Sequence, residues 1–184
     1  GIIKGSGVDI HHFAEMPLPQ SAGFLFVGRL IKDKGVREYL EACRIVKREC
    51  PDALCMLVGP FDSNPSALSA EELDEFTKDG TVAYYGEQQD VRPYLEKTSV
   101  YVLPSYHEGT PKSVLEAMAA GRAVVTTDAP GCRETVTNGV NGFLVEPKNA
   151  NAVAEAMLRL ANDPALCRTF GKNSRKIAVE KYDV

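Results

Sequence analysis

The sequence predicts an α/β domain, with a mostly parallel sheet of about six strands held between two helical layers. Three observations predict it. Short apolar runs, rich in Val, Leu and Phe, recur along the chain. Between them lie longer stretches whose apolar residues fall at helical spacing. Helix-start and turn signals mark the joints, among them Ser69-Ala-Glu-Glu72, Asn149 and Asp163-Pro164. A strict alternation of strand and helix patterns means parallel strands joined by crossover helices, the arrangement of a Rossmann-like three-layer αβα domain. The 184 residues suit one domain with a full hydrophobic core.

Taken in order, Phe24 to Val27 (FLFV) reads as a short buried strand. Val36 to Lys47 follows as a helix with Val36, Tyr39, Leu40, Cys43 and Val46 on its core face. Ala53 to Val58 (ALCMLV) is the second strand, closed by Gly59-Pro60. Phe61 to Leu68 is rich in Asp, Ser, Asn and Pro and reads as a loop. The capping box Ser69 to Glu72 starts a helix that Gly80 ends. Val82 to Tyr85 is the third strand and Asp90 to Lys97 a short helix. Ser99 to Pro104 (SVYVLP) holds the fourth strand, at Val100 to Leu103. Thr110 is expected to cap the next helix with Pro111 in its first position. Val114, Leu115, Ala117 and Met118 form that helix's apolar stripe, and Glu116 falls nearly opposite, beside Lys112 and Ala120. Ala123 to Thr126 and Gly142 to Val145 complete the strands. Asn149 caps a helix with Ala150, Val153, Ala154, Met157 and Ala161 on one face, and Asp163-Pro164 starts the last helix.

Composition narrows the function. Hydrophobic content of 44% and charged content of 25% are ordinary for a soluble globular protein, and a net charge of −4 argues against a nucleic-acid partner. No apolar run approaches the ~20 residues of a membrane span. Neither a signal peptide nor an initiating methionine precedes Gly1, as expected of a piece of a longer protein. Cys43, Cys50, Cys55, Cys132 and Cys167 form no C-x-x-C and are odd in number, which suits reduced, mostly packed thiols. His11 and His12 are adjacent without a third ligand at useful spacing, and no Asp-x-Asp occurs, so no metal is expected.

The candidate site lies in Tyr106 to Gly121, YHEGTPKSVLEAMAAG. Glu108 stands on the loop after the fourth strand, and Glu116 stands inside the helix that follows. In an open α/β sheet, ligands sit outside the carboxyl ends of the strands, at such strand-to-helix junctions. The free amides of a helix start suit an anion there. Arg29 and Lys34 occupy the loop after the first strand, which opens into the same crevice, and both suit phosphate oxygens. Taken singly, each of these four residues also fits an ordinary solvated charge.

Their context resembles something specific. The Glu-x7-Glu spacing after VLPS, then EAMAAGRAVVTTDAPGCRETV and NGFLV, resembles the nucleotide-sugar half of retaining glycosyltransferases of family 4. VGRLIKDKG, Val27 to Gly35, resembles that family's Gly-Arg…Lys-Gly loop. The resemblance runs through nearly the whole chain in the same order. It implies one half of a GT-B architecture: residues 1–22 as interdomain connection and lead-in, and 23–184 as the donor domain, the N-terminal acceptor domain being absent. It further implies that Arg29, Lys34 and the helix start at Lys112 and Ser113 hold the donor diphosphate, where other enzymes use a metal. Glu116 would take the ribose. Glu108, the catalytic candidate, would sit against the transferred sugar with Gly109 and Thr110. Gly86, Glu87 and Gln88, after the third strand, would meet the base.

The reaction so implied moves a sugar with retention from a nucleotide sugar to a glycan or lipid-linked acceptor. No cofactor is expected. A catalytic histidine and the acceptor site belong to the absent domain, so the piece alone is expected to be inactive; His107 reads as a surface histidine. The implied place is the cytoplasm, at the inner face of the cytoplasmic membrane for the full-length protein, with membrane association only through the absent domain. Thr110-Pro111 and Ala129 to Cys132 depart from the commonest family pattern. With the Asp62 to Pro65 loop, they point to a bacterial subgroup building capsular or lipid-linked glycans from a UDP-hexose or UDP-N-acetylhexosamine. Two other readings stay open. A dinucleotide-binding domain of an oxidoreductase shares the alternation, although Gly28-Arg29-Leu30 replaces G-x-G-x-x-G. A non-catalytic interaction module is the other.

Overall fold

The computed structural model describes residues 7–184. The expected connection at residues 1–6 lies outside the described residues. Six parallel strands form one sheet: β1 (Gly23–Val27), β2 (Leu54–Val58), β3 (Ala83–Tyr84), β4 (Val100–Leu103), β5 (Ala123–Thr127) and β6 (Gly142–Val145), in the order β3-β2-β1-β4-β5-β6. The Rossmann-like α/β arrangement is therefore present, and every ladder between neighbouring strands is parallel. The order reverses direction between β1 and β4, which makes that junction the switch point where a ligand crevice opens.

Helices α1 (Val36–Glu49), α2 (Ala70–Thr77), α3 (Arg92–Glu96), α4 (Lys112–Ala119), α5 (Ala150–Ala161) and α6 (Pro164–Ile177) cover the sheet. The α1 core face is the one its spacing predicts, with Ala42 added. Ser69 caps α2 in a full capping box with Glu72, and Asn149 and Asp163 cap α5 and α6 through their side chains. β3 is shorter than Val82 to Tyr85, because the edge strand pairs only at Ala83 and Tyr84. On α5 it is Leu160, not Ala161, that continues the buried face. Ala120 is fully buried rather than beside the solvated side of α4, because the chain turns inward at Gly121 toward β5.

Two arginines fix the lead-in, Arg122 buried and Arg175 partly so. Arg122 is fully buried and donates to the carbonyls of Leu95, Met16 and Pro17 at 3.1, 2.8 and 3.0 Å. Burial pulls its guanidinium down to about 10, still charged at neutral pH. Arg175 donates to the carbonyls of Ile10, Phe13 and Ala119. Val8 and Ile10 join the core, and Val8 bridges to Asp183 near the C-terminus. Residues 8–17 are thus held to the body of the domain.

All five cysteines are free thiols, four of them buried. No helix among the described residues is long and apolar enough to cross a membrane.

Candidate functional site

β1 and β4 pair only at Phe24–Val100 and Leu25–Tyr101. Beyond that they part, while β1 stays paired with β2 through Val27–Val58. The opening continues into a cleft of about 370 Å3 at the carboxyl end of the sheet. Arg29, Lys34, Glu108 and Thr110 line it from the loops; Lys112, Ser113 and Glu116 line it from α4. Three cations and two carboxylates thus share one cleft. Clefts of similar volume at the lead-in, such as that around Leu18 and Arg168, gather no comparable set of charges.

The loops that carry these residues are tied to each other. Lys32–Lys34 form a single 3₁₀ turn ended by Gly35 at φ +75°. Gly35 lies against the Pro104 carbonyl so closely that any side chain would collide with it. The Tyr106 amide donates to the Asp33 carbonyl at 2.8 Å, and the Glu108 amide to the Pro130 carbonyl at 2.9 Å. The loops after β1, β4 and β5 therefore hold one another in place.

Lys34 meets Glu108 directly. Its Nζ donates to Oε1 at 2.8 Å and to Oε2 at 2.7 Å, with side-chain exposures of 25% and 8%. Ser105, fully buried, donates to Glu108 Oε2 at 2.7 Å. An ammonium has three protons, so Lys34 keeps one for another partner. Oε1 of Glu108 has fewer partners than Oε2 and is the freer oxygen.

Glu116 is the opposite case. It is half-buried and lines the cleft, and its carboxylate has no hydrogen-bond partner among the described residues. Burial pushes its carboxyl pKa up, partly offset by the Lys112 ammonium. Like Lys112, Arg29 is an exposed cation of the cleft. Its only ion pair among the described residues is a 3.9 Å approach to Asp62, at 60% side-chain exposure.

The start of α4 differs from expectation. The N-cap is Pro111, at φ −73° and ψ 112°, not Thr110, and no side chain caps the helix. Proline's ring suits this extended cap, and the helix begins one residue later than its sequence signals imply. The consequence suits an anion: the Lys112 and Ser113 amides have no acceptor among the described residues, whereas those of Val114 and Leu115 turn back to the Pro111 carbonyl.

Gly86, Glu87 and Gln88 do not line this cleft. They follow β3 at the sheet edge, two strands from β1. The Gly86 carbonyl accepts from the Gly59 amide at 2.8 Å, which ties this turn to the end of β2. Glu87 and Gln88 are exposed, and Gln88 Nε2 donates to the Tyr85 carbonyl. Gly109, between Glu108 and Thr110, is exposed and does not line the cleft. His107 is exposed too, with Nε2 3.6 Å from Asp33.

Two residues of the site escaped the sequence reading. Ser105 had only its place directly after Pro104. Tyr101 carried a usable signal: a buried tyrosine in an otherwise apolar strand needs a partner for its hydroxyl. That hydroxyl lies 2.6 Å from Ser113 Oγ and bonds the backbone of Val27. Among the described residues, no group of three or more His, Cys, Asp or Glu could hold a metal ion.

Comparison with known proteins gives this cleft a context. The sequence model of a family described as "Glycosyl transferases group 1" matches residues 11–177. N,N'-diacetylbacillosaminyl-diphospho-undecaprenol alpha-1,3-N-acetylgalactosaminyltransferase of Campylobacter jejuni is 38% identical over 159 residues, 86% of this chain and 40% of that protein. The capsular polysaccharide biosynthesis glycosyltransferase CapM of Staphylococcus aureus is 31% identical over 157 residues, 85% of this chain and 41% of that one. The chain thus spans about two fifths of the length of these relatives. Among solved structures, the C-terminal domain of the glycosyl transferase group 1 family protein LpcC from Francisella tularensis superposes with a TM-score of 0.86 at 26% identity. That match covers 97% of this chain and 100% of the other.

Proposed function

This chain belongs to the glycosyl transferases group 1 family, and from that premise we propose that it is the donor-binding half of a retaining, family 4 glycosyltransferase of GT-B architecture. The donor is a UDP-hexose or UDP-N-acetylhexosamine, and the acceptor a glycan or lipid-linked sugar of a bacterial surface polysaccharide. The acceptor site and the remaining catalytic groups lie in a second domain, so this chain alone is inactive. The whole enzyme works in the cytoplasm, at the inner face of the cytoplasmic membrane. The names of the Campylobacter and Staphylococcus relatives support the reaction class, and the first supports an N-acetylhexosamine.

The observation that carries this reading is the division of labour between the two carboxylates of one cleft. Glu116 is desolvated and unpartnered among the described residues, as suits a ligand diol: one carboxylate accepts from both ribose hydroxyls. Between it and Glu108 lie the free Lys112 and Ser113 amides. With the third proton of Lys34 and the open Arg29 guanidinium, they form a cradle for a diphosphate. The base rests beyond the β2 end, on the Gly86 to Gln88 turn. No metal is needed, because these donors supply the positive charge.

Glu108 then faces the transferred sugar through Oε1, with the Gly109 and Thr110 amides beside it. Its carboxylate is gripped at both oxygens by Lys34, and so is a poor nucleophile. Its work is to position the sugar and stabilise the positive charge that develops at the anomeric carbon, as in a front-face displacement. The Lys34 ammonium joins that carboxylate to the departing diphosphate. Loss of one such contact to developing charge typically costs ~10²–10³ in rate. Family membership sets aside the dinucleotide-binding alternative.

Titration calorimetry of this chain tests the reading. UDP or a UDP-sugar should bind specifically, and Glu116→Ala and Lys34→Ala should each weaken binding. Absence of any nucleotide affinity at millimolar concentration refutes it, and unchanged affinities in the two variants refute their roles.

A further inference from the structure

Under the floor of the cleft lies a hydroxyl that none of the roles above uses. Tyr101 is fully buried in the middle of β4. Its ring reaches along the sheet to where β1 and β4 part. There its oxygen accepts from the Val27 amide at 3.3 Å and lies 3.0 Å from the Val27 carbonyl. It thus takes the two backbone groups that lose their strand partner at the opening. Its third neighbour is Ser113 Oγ at 2.6 Å, the shortest of the three contacts. Ser113 in turn lines the cleft at the first turn of α4.

We propose that Tyr101 is a positioning residue for an anionic ligand, acting by setting the direction of the Ser113 hydroxyl. This role rests on the cleft being a diphosphate site. A phenol has one proton to give and two lone pairs to receive with. The Val27 amide occupies one lone pair. The proton then goes either to the Val27 carbonyl or to Ser113 Oγ. In the first case Ser113 must donate to Tyr101 to satisfy the 2.6 Å contact, and it turns only lone pairs to the cleft. In the second case Tyr101 donates to Ser113, and the Ser113 proton is free to point at a phosphate oxygen.

An anion in the cleft selects the second arrangement. The change moves no heavy atom: two hydroxyl protons rotate, and the Val27 carbonyl gives up one bond. A phenylalanine would leave Ser113 able to turn, but without the donor that orients it, and a short polar contact in the floor would be lost. Burial pushes the Tyr101 phenol well above its ordinary range, so it stays a neutral donor at any working pH. The Tyr101 ring is part of the core, while only its oxygen belongs to the site. The Tyr101→Phe variant therefore separates the two contributions.

The test is a double-mutant cycle read by calorimetry. Wild type, Tyr101→Phe, Ser113→Ala and the double variant are titrated with UDP, GDP and ADP, and with the corresponding nucleosides. For whichever diphosphate binds, Tyr101→Phe and Ser113→Ala should each weaken binding about three- to tenfold, the worth of one hydrogen bond. The double variant should be no weaker than Ser113→Ala alone, and nucleoside affinity should not change. Ser113→Thr, which keeps the hydroxyl, should retain the dependence on Tyr101.

The proposal is overturned if Tyr101→Phe binds like wild type while Ser113→Ala does not. It is also overturned if the two losses multiply, or if Tyr101→Phe weakens nucleoside binding equally, since either result marks a merely structural tyrosine. A wild-type chain that binds none of the three diphosphates, or a Ser113→Ala variant without effect, removes instead the diphosphate reading on which the proposal stands.

Discussion

Replacing Lys34 by Met keeps most of the side-chain volume and removes the ammonium. Glu108 then loses two charge-assisted bonds, of 2.8 and 2.7 Å, and retains only the Ser105 hydroxyl. A carboxylate 8% exposed cannot recover those bonds from solvent without opening the loop. Breaking a fully buried pair from one side costs about 3–5 kcal/mol. Lys34 is a quarter exposed, so water can partly take its place, and the expected loss is about 2–3 kcal/mol. For a domain of this length that lowers the melting temperature by about 5–10 °C. Glu108→Gln removes the same charge pair from the other side. The double variant leaves no buried charge behind, so it should be more stable than the two single losses predict, by about 1–2 kcal/mol. Urea unfolding at pH 7, with the slope checked for constancy, measures all four proteins. Additivity within ~0.5 kcal/mol refutes the claim that this pair, rather than each residue's separate surroundings, holds the loop.

Three further outcomes are expected. Glu116→Gln should raise stability at neutral pH while weakening nucleotide binding. Burial raises the Glu116 pKa in the folded state, so its favourable contribution is complete below the unfolded carboxyl pKa and lost as pH rises through the folded one; the gain in melting temperature should vanish below about pH 4, and a gain constant with pH contradicts the assignment. Arg122→Leu removes three charge-assisted hydrogen bonds, one buried and two part-buried, and should cost about 3 kcal/mol or more; hydrogen exchange should show faster opening at residues 8–17, and unchanged protection there would mean the guanidinium does not hold the lead-in. Gly131→Ala places a side chain on the Glu108 and Gly109 carbonyls at φ +83° and should weaken UDP-sugar binding more than UDP binding; equal losses would detach that turn from the sugar side of the cleft.

The fold was largely legible because its signals are local. FLFV, ALCMLV and VYVL are apolar runs too short for helices, and each lies where a strand forms. Ser69, Asn149 and Asp163 cap the helices they announce. What stayed hidden depends on distance along the chain. Lys34 and Glu108 were readable as a cation and an acid on two loops facing one crevice. Nothing local says that residues 74 positions apart share two hydrogen bonds. Arg122 reads as a charge beside a strand, and its burial follows only from where residues 16–17 lie, against the end of α4 at Ala120. The Thr110 cap failed for another reason. Residue type points to a side-chain cap, but Pro111 takes the cap position, its carbonyl receives the Val114 and Leu115 amides, and the Lys112 and Ser113 amides stay open.

The cleft asks for two opposed properties in neighbouring carboxylates, and the topology separates them. Glu108 sits on a loop braced from both sides, by Asp33 through Tyr106 and by Pro130 through its own amide. It therefore presents a fixed, compensated charge whose position hardly depends on a ligand. Glu116 sits inside α4, where the helix fixes its backbone and burial strips water from its carboxylate without giving it a partner. That arrangement opposes folding and favours binding, since a ligand hydroxyl restores what burial removed. Placing the uncompensated acid on a helix and the compensated one on a loop is the workable order. A loop carrying the unpartnered charge would swing it into solvent, whereas a regular helix cannot move one residue without unwinding its first turns.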